Sequence, residues 1–388
     1  MLRTLSIANY RSIRDLVLPL GQLNLITGAN GSGKSNLYRG LRLLCDTAYG
    51  NPNHAIALEG GLPTVMWAGP ESFSRAVKQG KYPVQGGPRK KPPALRLGFS
   101  SDEYGFAIDL GYPSPVAGTM FMLDPEIKRE VIWHGETWHH RRALVDRNGP
   151  VVRARDESGT WVVIEQHLPV YESMLSRVAD PQRAPEVLML REELRSWRFY
   201  DNFRCDAESP ARHSQVGVRT PVLANDGHDL ASAWRTIHEI GNGAALDNAV
   251  DDAFPGAAVE IKAEGGRFEL LFRQPGLLRA LTQAELSDGT LRYLLLTAAL
   301  MTPRPPPLMV LNEPETSLHP DLLPPLGRLM RRYAEENQLW VVSHAPWLVE
   351  VLADDDVTNH IELDKELGET FVQGLDMLNT PPWKWPSR

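Results

Sequence analysis

The chain has 388 residues, is 42% hydrophobic and 23% charged, and carries a formal net charge of −7. At roughly 150 residues per domain, this length predicts two to three lobes that bury their own core without a disulfide or metal staple. Its two cysteines exclude a disulfide scaffold and a thiolate zinc site, no apolar run approaches the roughly 18 residues of a membrane span, and the amino terminus lacks a secretory apolar segment, so a cytoplasmic protein without membrane contact is expected.

In chain order, Leu2, Leu5 and Ile7, then Ile13, Leu16 and Leu18, predict two strands, and the run Leu23–Ile26 predicts a third. Gly28-Ala29-Asn30-Gly31-Ser32-Gly33-Lys34-Ser35 follows, and then a helix with the apolar face Leu37, Leu41, Leu44, Cys45 and Ala48. Strand, glycine turn and helix, with four residues between Gly28 and Gly33, make the phosphate-loop pattern. The glycines let successive backbone N–H groups converge on phosphates, and the helix presents its positive N-terminus. Lys34 is expected to reach the β- and γ-phosphates, and the Ser35 hydroxyl to ligate Mg²⁺.

Residues 50–125 are rich in Gly and Pro, and the short alternating segments Leu95–Phe99 and Tyr104–Leu110 read as antiparallel strands. Val131–Trp133 and Trp161–Ile164 continue that character. Residues 71–100 hold seven Lys/Arg against the single acid Glu71, a local +6 that leaves −13 over the remainder. That segment is either a solvated loop or, through Arg89, Lys90 and Lys91, a contact to the DNA backbone. His134, His139 and His140 form a cluster that Arg141 and Arg142 make unfavourable for a cation. From 165 to 200 the pattern turns helical. In Arg191–Arg204 the arginines alternate with Trp197, Phe199, Tyr200 and Phe203, which either stack on bases or pack a lobe. A helix over Leu230–Ile240 and a hairpin around Gly265-Gly266 come next.

The last third alternates strand and helix, which predicts a mainly parallel sheet covered on both faces. Leu286-Ser287-Asp288-Gly289-Thr290 precedes a helix from Leu291; it reads as a capping turn or as a second phosphate-binding surface built from Ser287, Gly289 and the helix N-terminus. Leu308–Leu311 is an apolar strand ending in Asn312 and Glu313, at the edge where such sheets bind ligands. A carboxylate there can act on the water that attacks a γ-phosphate, and Glu313 is placed for it. Asn312 occupies the position where nucleotide enzymes usually carry an Mg²⁺-holding Asp. Val341-Val342-Ser343-His344 is a strand ending in His.

Taken together, the phosphate loop, the Leu-Ser-x-Gly turn, the apolar strand with Glu313 and the strand with His344 resemble the ABC-type ATPase series in order and spacing. Asn9-Tyr10-Arg11-Ser12, Ser287-Asp288-Gly289-Thr290 and Glu313-Pro314-Glu315-Thr316-Ser317-Leu318-His319-Pro320 resemble its RecF/SMC-like branch of bacterial AAA family ATPases. The resemblance covers most of 1–50 and 220–350. It implies a P-loop α/β fold with an antiparallel β-rich part and a helical lobe, and two copies closing head to tail on two ATP molecules. Arg11, Asn30, Gly31, Ser32, Gly33, Lys34, Ser35 and Asn36, with Ser287, Asp288 and Gly289, would bind the nucleotide, Lys34 and Ser35 of one copy facing Ser287 and Gly289 of the other. Glu313 would be the general base, His344 the γ-phosphate sensor, Ser35 and Asn312 the Mg²⁺ residues, and Ser317–Pro320 the loop joining the paired sites. An amide at 312 lacks a full negative charge, so weak Mg²⁺ binding and slow hydrolysis are expected.

The long coiled coil of SMC proteins has no counterpart here. Only 44 residues follow His344, too few for an appended nuclease domain, and Asp354-Asp355-Asp356 reads as a solvated turn. The expected organisation is a stand-alone head: 1–50 and 246–378 as the two parts of the ATPase core, 51–165 as a β-rich insertion, 166–245 as the helical lobe and 379–388 as an unstructured tail. DNA repair or anti-phage defence is the expected setting. The alternative is a nucleotide-controlled scaffold that barely hydrolyses ATP and holds a separate effector nuclease or toxin.

Overall fold

Apolar runs on either side of a two-residue turn make the first hairpin. In the computed structural model β1 (Leu2–Tyr10) and β2 (Ile13–Pro19) pair antiparallel with Tyr10 opposite Ile13, and Arg11 takes a left-handed φ of 50° at the turn. The structure describes residues 1–388 apart from 51, 80, 84–92, 116–117, 202, 354–356, 377 and 388. Arg89, Lys90 and Lys91, and the acidic run Asp354–Asp356, therefore lie outside the described residues. The chain forms two units, one of 1–20, 28–196 and 362–388, the other of 21–27 and 197–361. β3 (Leu23–Gly28) carries the chain from the second unit back to the first.

In the first unit β4 (Ala94–Ser101), β5 (Tyr104–Gly111), β6 (Glu126–His134), β7 (Ala143–Asn148), β8 (Val151–Arg155) and β9 (Trp161–Glu165) join the hairpin in one antiparallel sheet of order β2-β1-β4-β5-β6-β7-β8-β9. The residues expected as a β-rich insertion therefore share a sheet with the amino-terminal strands, because β1 has an edge free for β4 (Ile7 opposite Leu97). The helix Lys34–Tyr49 packs on this sheet with Leu37, Leu41 and Leu44 buried, each contributing about 1.5–3 kcal/mol. Gly40 lets it approach closely, since a Cβ there would stand 2.6 Å from Ile7 Cδ1.

The stretch 166–245, expected as one helical lobe, is divided. Helix Pro185–Ser196 belongs to the first unit, where Cys45 Sγ donates to Leu194 O (3.1 Å), and helix Leu230–Ile240 belongs to the second. The expected unstructured tail is docked in the first unit. Trp383 sits edge-on to Trp133 and Trp385 (5.7 and 5.3 Å between centroids), because two indoles gain more against the sheet than in water. Glu130 and Arg147 form a fully buried pair (2.7 Å). Arg147 also donates to Gly149 O, Pro169 O and Glu172 O, and Glu130 also accepts from Ser173 Oγ and Met174 N.

The second unit holds a parallel sheet of order β10-β15-β16-β3, made of β10 (Arg198–Tyr200), β15 (Leu308–Asn312), β16 (Gln338–Val342) and β3, with β17 (Thr358–Glu366) beyond β3. Apolar runs such as Leu308-Met309-Val310-Leu311 suit strands covered on both faces. From Glu362 on, β17 is in the first unit, where it forms a hairpin with β18 (Glu369–Val372). A small antiparallel sheet of β11 (Gln215–Val216), β12 (Ala258–Glu264), β13 (Arg267–Arg273) and β14 (Leu281–Thr282) completes the second unit, with the hairpin turning at Gly265-Gly266 as the sequence predicts. Helix Asp288–Leu300 is buried along almost its whole length. Trp197, Phe199, Tyr200 and Phe203 are buried, so the aromatic residues among the arginines of 191–204 pack the fold and are not available to bases. Among the described residues no helix is long and apolar enough to cross a membrane.

Candidate functional site

The glycine loop opens the helix of the first unit. Gly28, Gly31 and Gly33 take φ of 142°, 83° and 114°, a region costly for residues with a Cβ. A Cβ at Gly28 would run into Leu363 O, and one at Gly33 into the Thr370 side chain. The β17–β18 hairpin thus backs the loop. Asn36 Nδ2 donates to Ser12 Oγ, Ser12 Oγ to Thr370 Oγ1, and Thr370 Oγ1 to Ser32 O, each at 2.7 Å. Asn36 and the Asn-Tyr-Arg-Ser turn therefore hold the loop from behind. Arg11 is turned elsewhere, its guanidinium bonded to Glu59 Oε2 at 2.7 and 3.0 Å. Asn30, Gly31 and Ser35 are exposed at the loop surface.

Lys34 Nζ folds back over the loop, donating to Gly28 O (2.6 Å) and Ala29 O (3.2 Å). Ser32 Oγ is buried with no hydrogen-bond partner among the described residues. An orphaned hydroxyl, an ammonium over a glycine turn and a helix N-terminus together fit a phosphate chain.

In the second unit the parallel strands all end at one edge. Asn312 closes β15 and Glu313 follows in a left-handed conformation (φ 48°), anchored by its N–H to Val342 O at 2.8 Å. That strained turn brings the Glu313 carboxylate to 3.6 Å from His344 Nδ1, both side chains about half exposed. Glu315 is the buried organiser of this corner: its Oε1 accepts from Ser343 Oγ (2.7 Å), His344 N (3.2 Å) and Ala345 N (3.3 Å), and stands 3.7 Å from His344 Nδ1. On the neighbouring strand Tyr200 pairs with Leu311, so Asp201 leaves β10 at the edge where Asn312 leaves β15. Burial pushes the Asp201 carboxyl up to about 6.

An acid with a raised folded pKa stabilises the fold below its unfolded pKa, and this contribution is lost as pH rises through the folded value. Stability should thus fall between about pH 4 and 6, and Asp201→Asn should flatten that slope in thermal melts across this range. An unchanged slope would assign the dependence to other groups.

The Leu286-Ser287-Asp288-Gly289 turn caps helix Asp288–Leu300, with Ser287 Oγ accepting from Thr290 N at 3.1 Å. A Cβ at Gly289 would stand 2.6 Å from Ser317 O, so the turn packs directly on the loop after Glu313. Ser317 itself is left-handed (φ 65°). The sequence points to the loop, Glu313, His344 and the Ser287 turn. It leaves out the support supplied by Thr370 and Glu315 and the position of Asp201, because the first acts across 338 residues and the other two are ordinary acids in the sequence.

Arg96 in the basic segment is committed to Asp109 across the sheet (2.9 Å), while Arg75 and Lys81 are exposed. His139 and His140 rings touch at 4.3 Å, and among the described residues no group of three or more His, Cys, Asp or Glu is arranged to hold a metal.

A family model described as AAA domain, putative AbiEii toxin, Type IV TA system matches residues 23–350. No curated protein matches the chain. Among solved structures, the SmcHead bound to the C-winged helix domain of ScpA is 14% identical, with 97% of this chain and 98% of that chain covered and a TM-score of 0.50. The Smc head domain with an extended coiled coil bound to the C-terminal domain of ScpA, derived from Pyrococcus furiosus, is 12% identical, with 97% and 96% covered and a TM-score of 0.48. The SMC head domain from Thermotoga maritima is 15% identical, with 97% and 99% covered and a TM-score of 0.43. At such identities the first of these establishes a likeness of fold, an SMC-head type of P-loop α/β ATPase fold.

Proposed function

The chain belongs to the family described as AAA domain, putative AbiEii toxin, Type IV TA system, and from that premise we propose that it is an ATPase of ABC type whose ATP-bound form is a head-to-tail dimer. The observation that carries this reading is the Glu313–His344 pair, 3.6 Å apart at the carboxyl edge of a parallel sheet in which β3 runs directly into the glycine loop. Lys34 and the loop N–H groups hold the phosphates. Glu313 accepts a proton from the attacking water, and His344, oriented through Glu315, donates toward the γ-phosphate. Ser287 and Gly289 serve the nucleotide of the partner copy.

Ser35 and Asn312 are the oxygen donors proposed for Mg²⁺, which suits a hard cation. Bound there, the ion would neutralise charge on the β- and γ-phosphates. Because Asn312 brings no charge, hydrolysis is slow and ATP acts mainly as a dimerisation switch. Asn312→Asp should raise turnover by roughly tenfold and lower the Mg²⁺ concentration needed for half-maximal activity. Steady-state ATPase assays across Mg²⁺ concentrations check this; a fast wild type that the substitution does not improve would refute it.

We further propose DNA as a partner, with exposed Arg75 and Lys81 and the basic residues Arg89, Lys90 and Lys91 as its contacts, in repair or anti-phage defence in the cytoplasm. Two buried cysteines that form no disulfide, Cys45 and Cys205, are in keeping with a reducing compartment. A second reading, a nucleotide-controlled scaffold for a separate effector nuclease or toxin, is favoured by Asn312 and by the toxin–antitoxin wording of the family description. DNA-stimulated hydrolysis would favour the first reading over the second.

A further inference from the structure

Ser287 is exposed, yet the turn that carries it is fastened from below by one buried arginine. Arg212 ends the short turn Pro210–Arg212 with its side chain only 8% exposed. Its Nη1 donates to Ala284 O (3.0 Å) and Leu286 O (2.7 Å), and its Nη2 to Asp288 Oδ1 (2.7 Å), which brackets Ser287 on both sides. Its Nε and Nη2 also reach Cys205 O (3.0 and 2.8 Å), and its Nε reaches Asp206 O (3.1 Å). Arg292, on the helix that the turn begins, donates to Phe203 O at 2.9 Å. Residues 203–206 follow β10, the strand that ends beside Asn312. Two arginines thus join the segment leaving the Asn312 edge to the Ser287 turn.

A buried cation bonded mainly to carbonyl oxygens is costly unless a fixed geometry is gained from it. Only a guanidinium offers planar donors in a rigid fork that can span two backbone segments at once; an ammonium cannot.

We propose that Arg212 is a positioning residue that sets the Ser287–Gly289 turn for the nucleotide of a partner copy, and that links this turn to the edge holding Asn312 and Glu313. This rests on the head-to-tail reading above. Arg212 bonds to residues 205–206 and 284–288 and is no part of the glycine loop, so its loss should spare ATP binding by the single chain while weakening what the turn does across the dimer.

The test uses the full chain with Arg212→Lys, and Asp288→Ala as a second variant that removes an exposed partner of Arg212 without disturbing the core. Affinity for a fluorescent ATP analogue should stay within about twofold of wild type, while ATP-dependent dimerisation weakens by about tenfold or more and kcat falls at unchanged KM. Mixed dimers separate positioning from general damage. With Lys34→Ala in one copy and Arg212→Lys in the other, one intact site remains and roughly half the activity survives. With both changes in the same copy beside a wild-type copy, both sites are impaired and activity is lost. Equal activity in the two mixtures, or loss of ATP binding by the Arg212→Lys chain itself, would overturn the proposal. A wild type that stays monomeric in saturating ATP would instead overturn the head-to-tail reading.

Discussion

Glu313→Gln is expected to cut ATP hydrolysis by roughly 10²–10⁴-fold while leaving ATP affinity within a few-fold of wild type, so that an ATP-bound dimer accumulates. The change is close to isosteric, and the strained turn that aims residue 313 is held by its backbone N–H to Val342 O. What is lost is the proton acceptor and the carboxylate 3.6 Å from His344. His344 keeps its orientation, because Glu315, not Glu313, holds the backbone of that corner. Binding survives because the glycine loop, Lys34 and the Ser12–Thr370 brace are untouched. Single-turnover hydrolysis and gel filtration with saturating ATP and Mg²⁺ check both halves. Hydrolysis within a few-fold of wild type would remove Glu313 from the role of base.

Arg147→Met is expected to cost about 3–5 kcal/mol of stability. Both members of the Glu130–Arg147 pair are fully buried, so removing the guanidinium leaves a carboxylate without a compensating charge. It also leaves Gly149 O, Pro169 O and Glu172 O without their donor. Ser173 Oγ and Met174 N still donate to Glu130, which keeps the cost below that of an isolated buried ion. Replacing Glu130 by Leu in the Arg147→Met background should recover part of the loss, since an apolar pair no longer carries the charge. Urea unfolding of the two variants and wild type measures both effects. A single substitution costing less than about 1 kcal/mol would mean that the pair is already solvated by local opening.

Parts of the site that are local in sequence were legible. The phosphate loop announces itself by glycine spacing, and Glu313 by standing at the end of an apolar strand. The hairpin at Gly265-Gly266 and strands β15 and β16 follow from hydrophobic runs. What the sequence conceals acts at a distance. Thr370 supports Ser32 from the β17–β18 hairpin, and nothing in its neighbourhood marks it. Arg212 is buried because its partners are mostly backbone carbonyl oxygens, which no side-chain pattern records. β10 hid at the end of a helical stretch because its three residues are too few to show alternation. The tail misled for a related reason: three prolines forbid regular structure, but indoles need none in order to dock.

The docked tail has an optical consequence. Trp133, Trp138, Trp383 and Trp385 form a chain of edge-on contacts at 5.3–5.7 Å within the first unit, close enough for their excited states to couple. Trp234 and Trp340, by contrast, are buried in the second unit. Exciton-coupled circular dichroism would therefore follow the unfolding of one unit without a label, while total indole fluorescence would follow both. Melting curves from the two signals would coincide only if the units unfold as one.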